Sequence, residues 1–391
     1  MIGSFKPVAR TLMGPGPSDV HPRILEALGR TTIGHLDPQF IQMMDEIKIL
    51  LQYAFQTENA LTLPVSAPGS AGMEACFANL LEPGEKAIVC INGVFGNRMV
   101  ENVTRCGGVA VAVNDDWGKP VDPEKVEAAL KANPDAKILA FVHAETSTGA
   151  RSDAKVLAAL AKQYGCLTIV DAVTSLGGIE LRVDDWGLDA VYSGTQKCLS
   201  CTPGLSPVTF SEQAAECIRM RKTPVQSWFL DMSLVMGYWG GGAKRAYHHT
   251  APINALYGLH ESLVLLQEEG LEAAWKRHAK MHTSLAAGLE TLGIGFLVDT
   301  PYRLPQLNAV TVPAGVDEAA IRQQLLSDFD LEIGAGLGAL AGKVWRIGLM
   351  GHSARPDNIA LCLDSLEAAL IQQGVGVERG AARAAAGSVS A

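Results

Sequence analysis

The sequence predicts an α/β fold: a large domain on a mostly parallel sheet flanked by helices, then a smaller C-terminal α/β domain. Three observations carry this. Short β-rich runs alternate with helical ones along the first part of the chain, as strand–helix–strand units require. A long helical stretch follows, and beyond it a second, shorter alternation begins. A length of 391 residues leaves room for two sizeable cores.

The elements follow in order. After GPGPSD comes a helix over 37–55, with Asp37 suited to the N-cap and Pro38 to the first turn. Phe40, Met44, Ile47, Leu51 and Phe55 recur on its buried face. Strands are expected at LTLPV (61–65), KAIVCIN (86–92), GVAVAV (108–113), KILAFVH (137–143), LTIVDAV (167–173), DAVYSG and SPVTF (206–210). Helices over 73–81 and 154–164 lie among them, so the sheet should carry helices on both faces. The helical stretch 253–292 opens the second part, where GFLVDT, AVTVPA, LEIGAG and VWRIGLMG read as strands. The divisions are an N-terminal arm (1–16), a large domain (17–265), a small domain (266–375) and a mobile tail (376–391) rich in Gly, Ala and Ser.

Composition excludes several functions. The net charge is −9 with no basic run, which argues against nucleic-acid binding. No segment has the apolar length of a signal peptide or a membrane span, and the eight cysteines are scattered rather than framed for disulfides. A cytoplasmic enzyme is the expectation.

In such sheets ligands bind beyond the carboxyl ends of the strands. Asp171 ends the apolar run CLTIV there. A buried carboxylate needs a partner: either a nearby backbone amide, or a cation such as the protonated ring nitrogen of pyridoxal 5′-phosphate. Lys197, after the next predicted strand, has Gly194, Thr195, Gln196 and Cys198 for company, not charges. A lone loop lysine is usually a solvated charge, but a desolvated one loses its proton easily and forms Schiff bases. The GSAG turn (69–72) between strand and helix suits a phosphate, although such turns are common. Arg346, inside VWRIG, is either a paired edge residue or a fork for a carboxylate. HAETSTGAR (143–151) offers small hydroxyls. Cys198 and Cys201 form a Cys-x-x-Cys, but no second ligand pair completes a zinc site, so no metal is expected.

Together these motifs resemble the class V, fold-type I pyridoxal phosphate enzymes, and more narrowly the alanine–glyoxylate and serine–glyoxylate aminotransferases. The resemblance runs from GPGPSDVHPRIL through HAETSTG, VDAVTSLGG, YSGTQKCL and YHHTAPINALYGL to GKVWRIGLMG, nearly the whole chain. It implies that Lys197 bears the cofactor as a Schiff base and later moves the substrate proton. Asp171 would then hold the ring nitrogen, with Val173 and Phe95 on the two ring faces and Thr146 at the ring hydroxyl. Gly69, Ser70 and Gln196 would bind the phosphate, joined by Tyr247 and Thr250 from the second subunit of a homodimer. Arg346, with Gly16 and Thr146, would hold the substrate carboxylate. The loop SAPGS departs from animal relatives, which carry serine at the Pro68 position and histidine at the Ser70 position; with no N–H on proline, phosphate contacts could be fewer.

The implied reaction moves an amino group from alanine or serine to glyoxylate, giving glycine and a 2-oxo acid. Pyruvate as acceptor, with pyridoxamine, taurine or aminoethylphosphonate as donor, is the alternative within the family. A cysteine desulfurase is disfavoured because Gln196 replaces the histidine before the lysine and LEIGAGLGALAGKVWR lacks a cysteine. A dinucleotide-binding protein would need a Gly-x-Gly-x-x-Gly, which GSAGME does not supply.

Overall fold

The computed structural model describes residues 1–240 and 245–390. Its main sheet has seven strands: Leu61–Val65 (β1), Lys86–Ile91 (β2), Val109–Asn114 (β3), Ala136–Val142 (β4), Leu167–Asp171 (β5), Ala190–Tyr192 (β6) and Ser206–Phe210 (β7). They lie in the order β1-β7-β6-β5-β4-β2-β3, and only β7 runs against its neighbours. Val142 pairs with Asp171 and Asp171 with Tyr192, so the carboxyl ends of β4, β5 and β6 lie level. The loops after these three strands therefore open onto one place.

The helix Pro38–Phe55 forms as its sequence dictates. The Asp37 carboxylate caps the Gln39 amide at 2.8 Å, and Phe40, Met44, Ile47, Leu51 and Phe55 are all buried. The helix after β1 begins earlier than its apolar pattern suggested, at Gly69 rather than Met73, because small residues fill its first turn.

Two segments differ from the sequence reading. The stretch 253–292 is two helices, Ile253–Glu269 and Leu271–Thr291, divided by Gly270 in the left-handed region (φ 84°). The segment 376–391, expected to be a mobile tail, carries a helix, Ala381–Ser390; residue 391 lies outside the described residues. Alanine is the best helix former, and Ala382 and Ala386, one turn apart, enter the second core. The Ser284 hydroxyl donates to the Ala386 carbonyl at 2.9 Å. Alanine is too small to have shown as a periodic apolar face.

That second core gathers around an antiparallel sheet with Val344–Gly348 between Leu307–Thr311 and Gly334–Ala335. GFLVDT makes only a single bridge, Phe296 to Val310, and gives way to a 3-10 turn at Thr300–Tyr302, where Pro301 has no N–H for a ladder. The chain's beginning returns here: Thr11–Leu12 pairs in parallel with Leu331–Glu332, and Met13 joins this core. Among the described residues no helix is long and apolar enough to cross a membrane.

Candidate active site

Asp171 closes β5 and is 3% exposed. Its Oδ1 accepts from the Val173 amide and its Oδ2 from the Tyr192 hydroxyl, both at 2.8 Å. Both donors are neutral, so burial dominates and pushes the carboxyl up to about 6. A cation at the strand tip would relieve that penalty.

Lys197 is 8% exposed, in the loop after β6. Burial, and then the Arg346 charge, bring its ammonium down to about 8. The Nζ donates to the Pro15 carbonyl, and the loop is held from the same side: Ser18 N donates to Gln196 O at 3.0 Å, and Ser18 Oγ to Lys197 O at 2.8 Å. Gly16 has φ 101°, and a Cβ there would stand 2.6 Å from the lysine nitrogen. The N-terminal segment thus forms one wall of the lysine's chamber.

Arg346 reaches the same chamber from the small sheet and is 6% exposed. Its Nε donates to Ala335 O at 2.7 Å and its Nη1 to Thr146 O at 3.2 Å. Among the described residues it has no carboxylate within ion-pair distance, and burial lowers the guanidinium to about 10. A buried cation without a counter-ion is suited to a ligand carboxylate.

Thr146 bonds through its hydroxyl to Thr174. Gly69 begins its helix against β6: a Cβ there would lie 3.3 Å from both Ser193 O and a Val173 methyl. Pro68 is the N-cap, with no side-chain cap on the helix. The proline leaves the amides of Gly69 and Ser70 in the first turn, while the Ala71 amide already donates to Pro68 O at 2.7 Å. Gln196 Oε1 is buried with no partner among the described residues. Phe95 packs at the edge of the main core, its amide directed to Glu145 Oε2 at 3.3 Å.

The arrangement fits pyridoxal phosphate in each part. A buried carboxylate lacks a cation, a buried amine is easily deprotonated, and an uncapped helix start adjoins them. An unpaired arginine completes the set.

The chain does not bring Tyr247 and Thr250 to this chamber by any contact among the described residues. Their hydroxyls lie 3.3 Å from each other, and Tyr247 is 60% exposed. Their segment is anchored by His249 Nε2, 2.7 Å from Ser66 Oγ. Cys198 and Cys201 are buried free thiols, pushed up by burial to about 12 and about 11.

Three residues in contact with the site escaped the sequence reading: Pro15, Tyr192 and Glu145. Tyr192 ends the strand beside Asp171, and its place could have been inferred from strand order. Glu145 is fully buried, and burial raises its carboxyl to about 7 despite hydrogen bonds from Ser147. The one acid among the small residues of HAETSTG was the available signal.

The family model for aminotransferase class-V matches residues 23–350. The (S)-ureidoglycine–glyoxylate transaminase of Bacillus subtilis is 37% identical, over 96% of this chain and 94% of its own. The crystal structure of an alanine–glyoxylate aminotransferase from Nostoc sp. superposes with a TM-score of 0.92 at 45% identity, covering 95% of this chain and 97% of that one. The pyridoxamine–pyruvate aminotransferase of Mesorhizobium loti superposes with a TM-score of 0.91 at 28% identity, covering 97% and 96%.

Proposed function

Since the chain belongs to the aminotransferase class-V family and is a pyridoxal 5′-phosphate-dependent transaminase, we propose that it moves the amino group of alanine or serine to glyoxylate. The products are glycine and a 2-oxo acid. The observation that carries the reading is the pairing of Lys197 with Arg346, an easily deprotonated buried amine beside a buried cation without a carboxylate.

When bound, pyridoxal phosphate supplies the electron sink for bonds at the substrate Cα. The residues supply the rest. Asp171, ionised once a pyridinium faces it, keeps that ring nitrogen protonated. Val173 and Phe95 would hold the ring, and the first-turn amides with Gln196 would hold the phosphate. Arg346 forks the substrate carboxylate and so aims Cα at Lys197. Lys197 Nζ would hold the cofactor and, once freed by the substrate, would serve as the base that takes and returns the Cα proton. Because one arginine serves amino donor and oxo acceptor in turn, kinetics should be ping-pong.

The working form is a homodimer in the cytoplasm, in which Tyr247 and Thr250 reach the partner's cofactor phosphate. The support is an exposed aromatic cluster, Trp228, Phe229 and Tyr247, of the kind a second subunit covers, together with eight free cysteines.

A second reading, pyridoxamine with pyruvate, draws on the Mesorhizobium likeness. Steady-state rates with alanine, serine, pyridoxamine and (S)-ureidoglycine, the donor named for the Bacillus relative, each against glyoxylate and pyruvate, decide between them. Turnover of alanine or serine with glyoxylate above all other pairs is expected; a preference for pyruvate overturns the proposal.

A further inference from the structure

The first turn of the helix Gly69–Leu80 has no side-chain cap, and Ser70 is its second residue. A serine hydroxyl carries no charge of its own to bind an anion. The adjoining helix, Val94–Arg105, places Arg98 beside it. The Arg98 Nη1 lies 3.3 Å from Ser70 Oγ, as donor to acceptor. Its guanidinium also sits 4.9 Å from the centre of the Phe95 ring, the ring assigned above to the cofactor's face.

Arg98 has no carboxylate partner among the described residues. Arg105, about two turns further along the same helix, does: it pairs with Glu101 at 3.4 Å. Ser70 and Arg98 also line a cavity of about 440 Å³ on the side of Glu74 and Glu101, apart from Lys197 and Asp171. The guanidinium's field reaches the chamber as well, since it is one of the charges that lower the Asp171 carboxyl against the larger effect of burial.

We propose that Arg98 is a phosphate-positioning residue for the cofactor, orienting the Ser70 hydroxyl and adding a cation at the start of the helix, beside Phe95. This rests on the assignment of pyridoxal phosphate to the chamber. The residue acts at the phosphate end through Ser70 and takes no part in proton transfer. Guanidinium forks match phosphate oxygens two at a time, and hydrogen bonds to charged groups are the strong ones.

The test compares two probes on apoenzyme, pyridoxal 5′-phosphate and pyridoxal, with wild type, Arg98→Met and Arg98→Lys. Arg98 is exposed, so both variants should keep the wild-type melting temperature as apoenzyme. Dissociation constants come from absorbance titration. The expected result is that Arg98→Met weakens pyridoxal phosphate about tenfold or more and leaves pyridoxal unchanged, with Arg98→Lys between. Inorganic phosphate should raise the apoenzyme melting temperature in wild type and raise it less in Arg98→Met.

Equal losses for both probes would make Arg98 a mere support for the Phe95 ring and overturn the proposal, as would no loss for either. If wild-type apoenzyme binds no pyridoxal phosphate, the failure belongs to the cofactor assignment itself, and the proposal falls with it.

Discussion

Truncating Arg346 to alanine removes the cation at the substrate end of the chamber. The fork is set before a substrate arrives, with Nε 2.7 Å from Ala335 O and Nη1 3.2 Å from Thr146 O. Losing one partner of a buried, hydrogen-bonded charge pair costs about 2–5 kcal/mol. Water can refill the space and satisfy the two carbonyls, so the lower end of that range applies. At ~1.4 kcal/mol per decade, kcat/KM should fall about 30-fold or more. The fall should appear in both half-reactions, measured separately by mixing the pyridoxal form with amino donor and the pyridoxamine form with glyoxylate. A second readout is independent of substrate. Arg346 is the second cause, after burial, of the lowered Lys197 ammonium. A positive neighbour disfavours the protonated amine, so removing it must raise the pKa. The rate at which apoenzyme captures pyridoxal phosphate, limited by neutral amine, should therefore rise with pH through a midpoint near 8 in wild type. In Arg346→Ala that midpoint should be higher but still below the ordinary 10.5, because burial persists. If only one half-reaction slows, or the midpoint stays put or drops, the shared site around Arg346 is refuted.

Lys197→Ala should still bind pyridoxal phosphate but lose nearly all turnover, and borohydride should no longer fix the cofactor covalently; an unchanged visible spectrum would remove Lys197 from the chemistry. Cys198→Ser and Cys201→Ser, singly or together, should keep activity within a few-fold and alter no metal content, because burial holds both thiols protonated; stoichiometric zinc lost from the double variant would reverse that. Mixing inactive Lys197→Ala with a Tyr247→Phe, Thr250→Ala double variant should restore activity, since a hybrid dimer would keep one intact site if the hydroxyls cross the interface. No recovery from an impaired double variant would place them within their own subunit, and a nearly active double variant would end their phosphate role.

The strands of the main sheet were legible because β-rich runs and their loops are local features. The capped helix Pro38–Phe55 was legible for the same reason, with Asp37, Pro38 and the apolar spacing all within a few turns. Asp171 and Lys197 stood out because each breaks the character of its own neighbourhood. Small residues carry little periodic signal, so the helix Ala381–Ser390 and the true start of the helix at Gly69 did not show. Nor did the division at Gly270, where one backbone angle decides the path.

Sequence alone thus singled out Asp171, Lys197 and Arg346 as chemically able side chains, together with the segments that carry them. Only the tertiary structure decided how they meet. Strand order sets Tyr192 against Asp171, and the return of the N-terminus onto the small sheet brings Pro15 and Gly16 to Lys197. The same packing turns Arg346 from a strand residue into an unpaired cation in the lysine's chamber. These contacts join segments far apart along the chain. Their energies come from burial and long-range pairing, which no local window of residues contains.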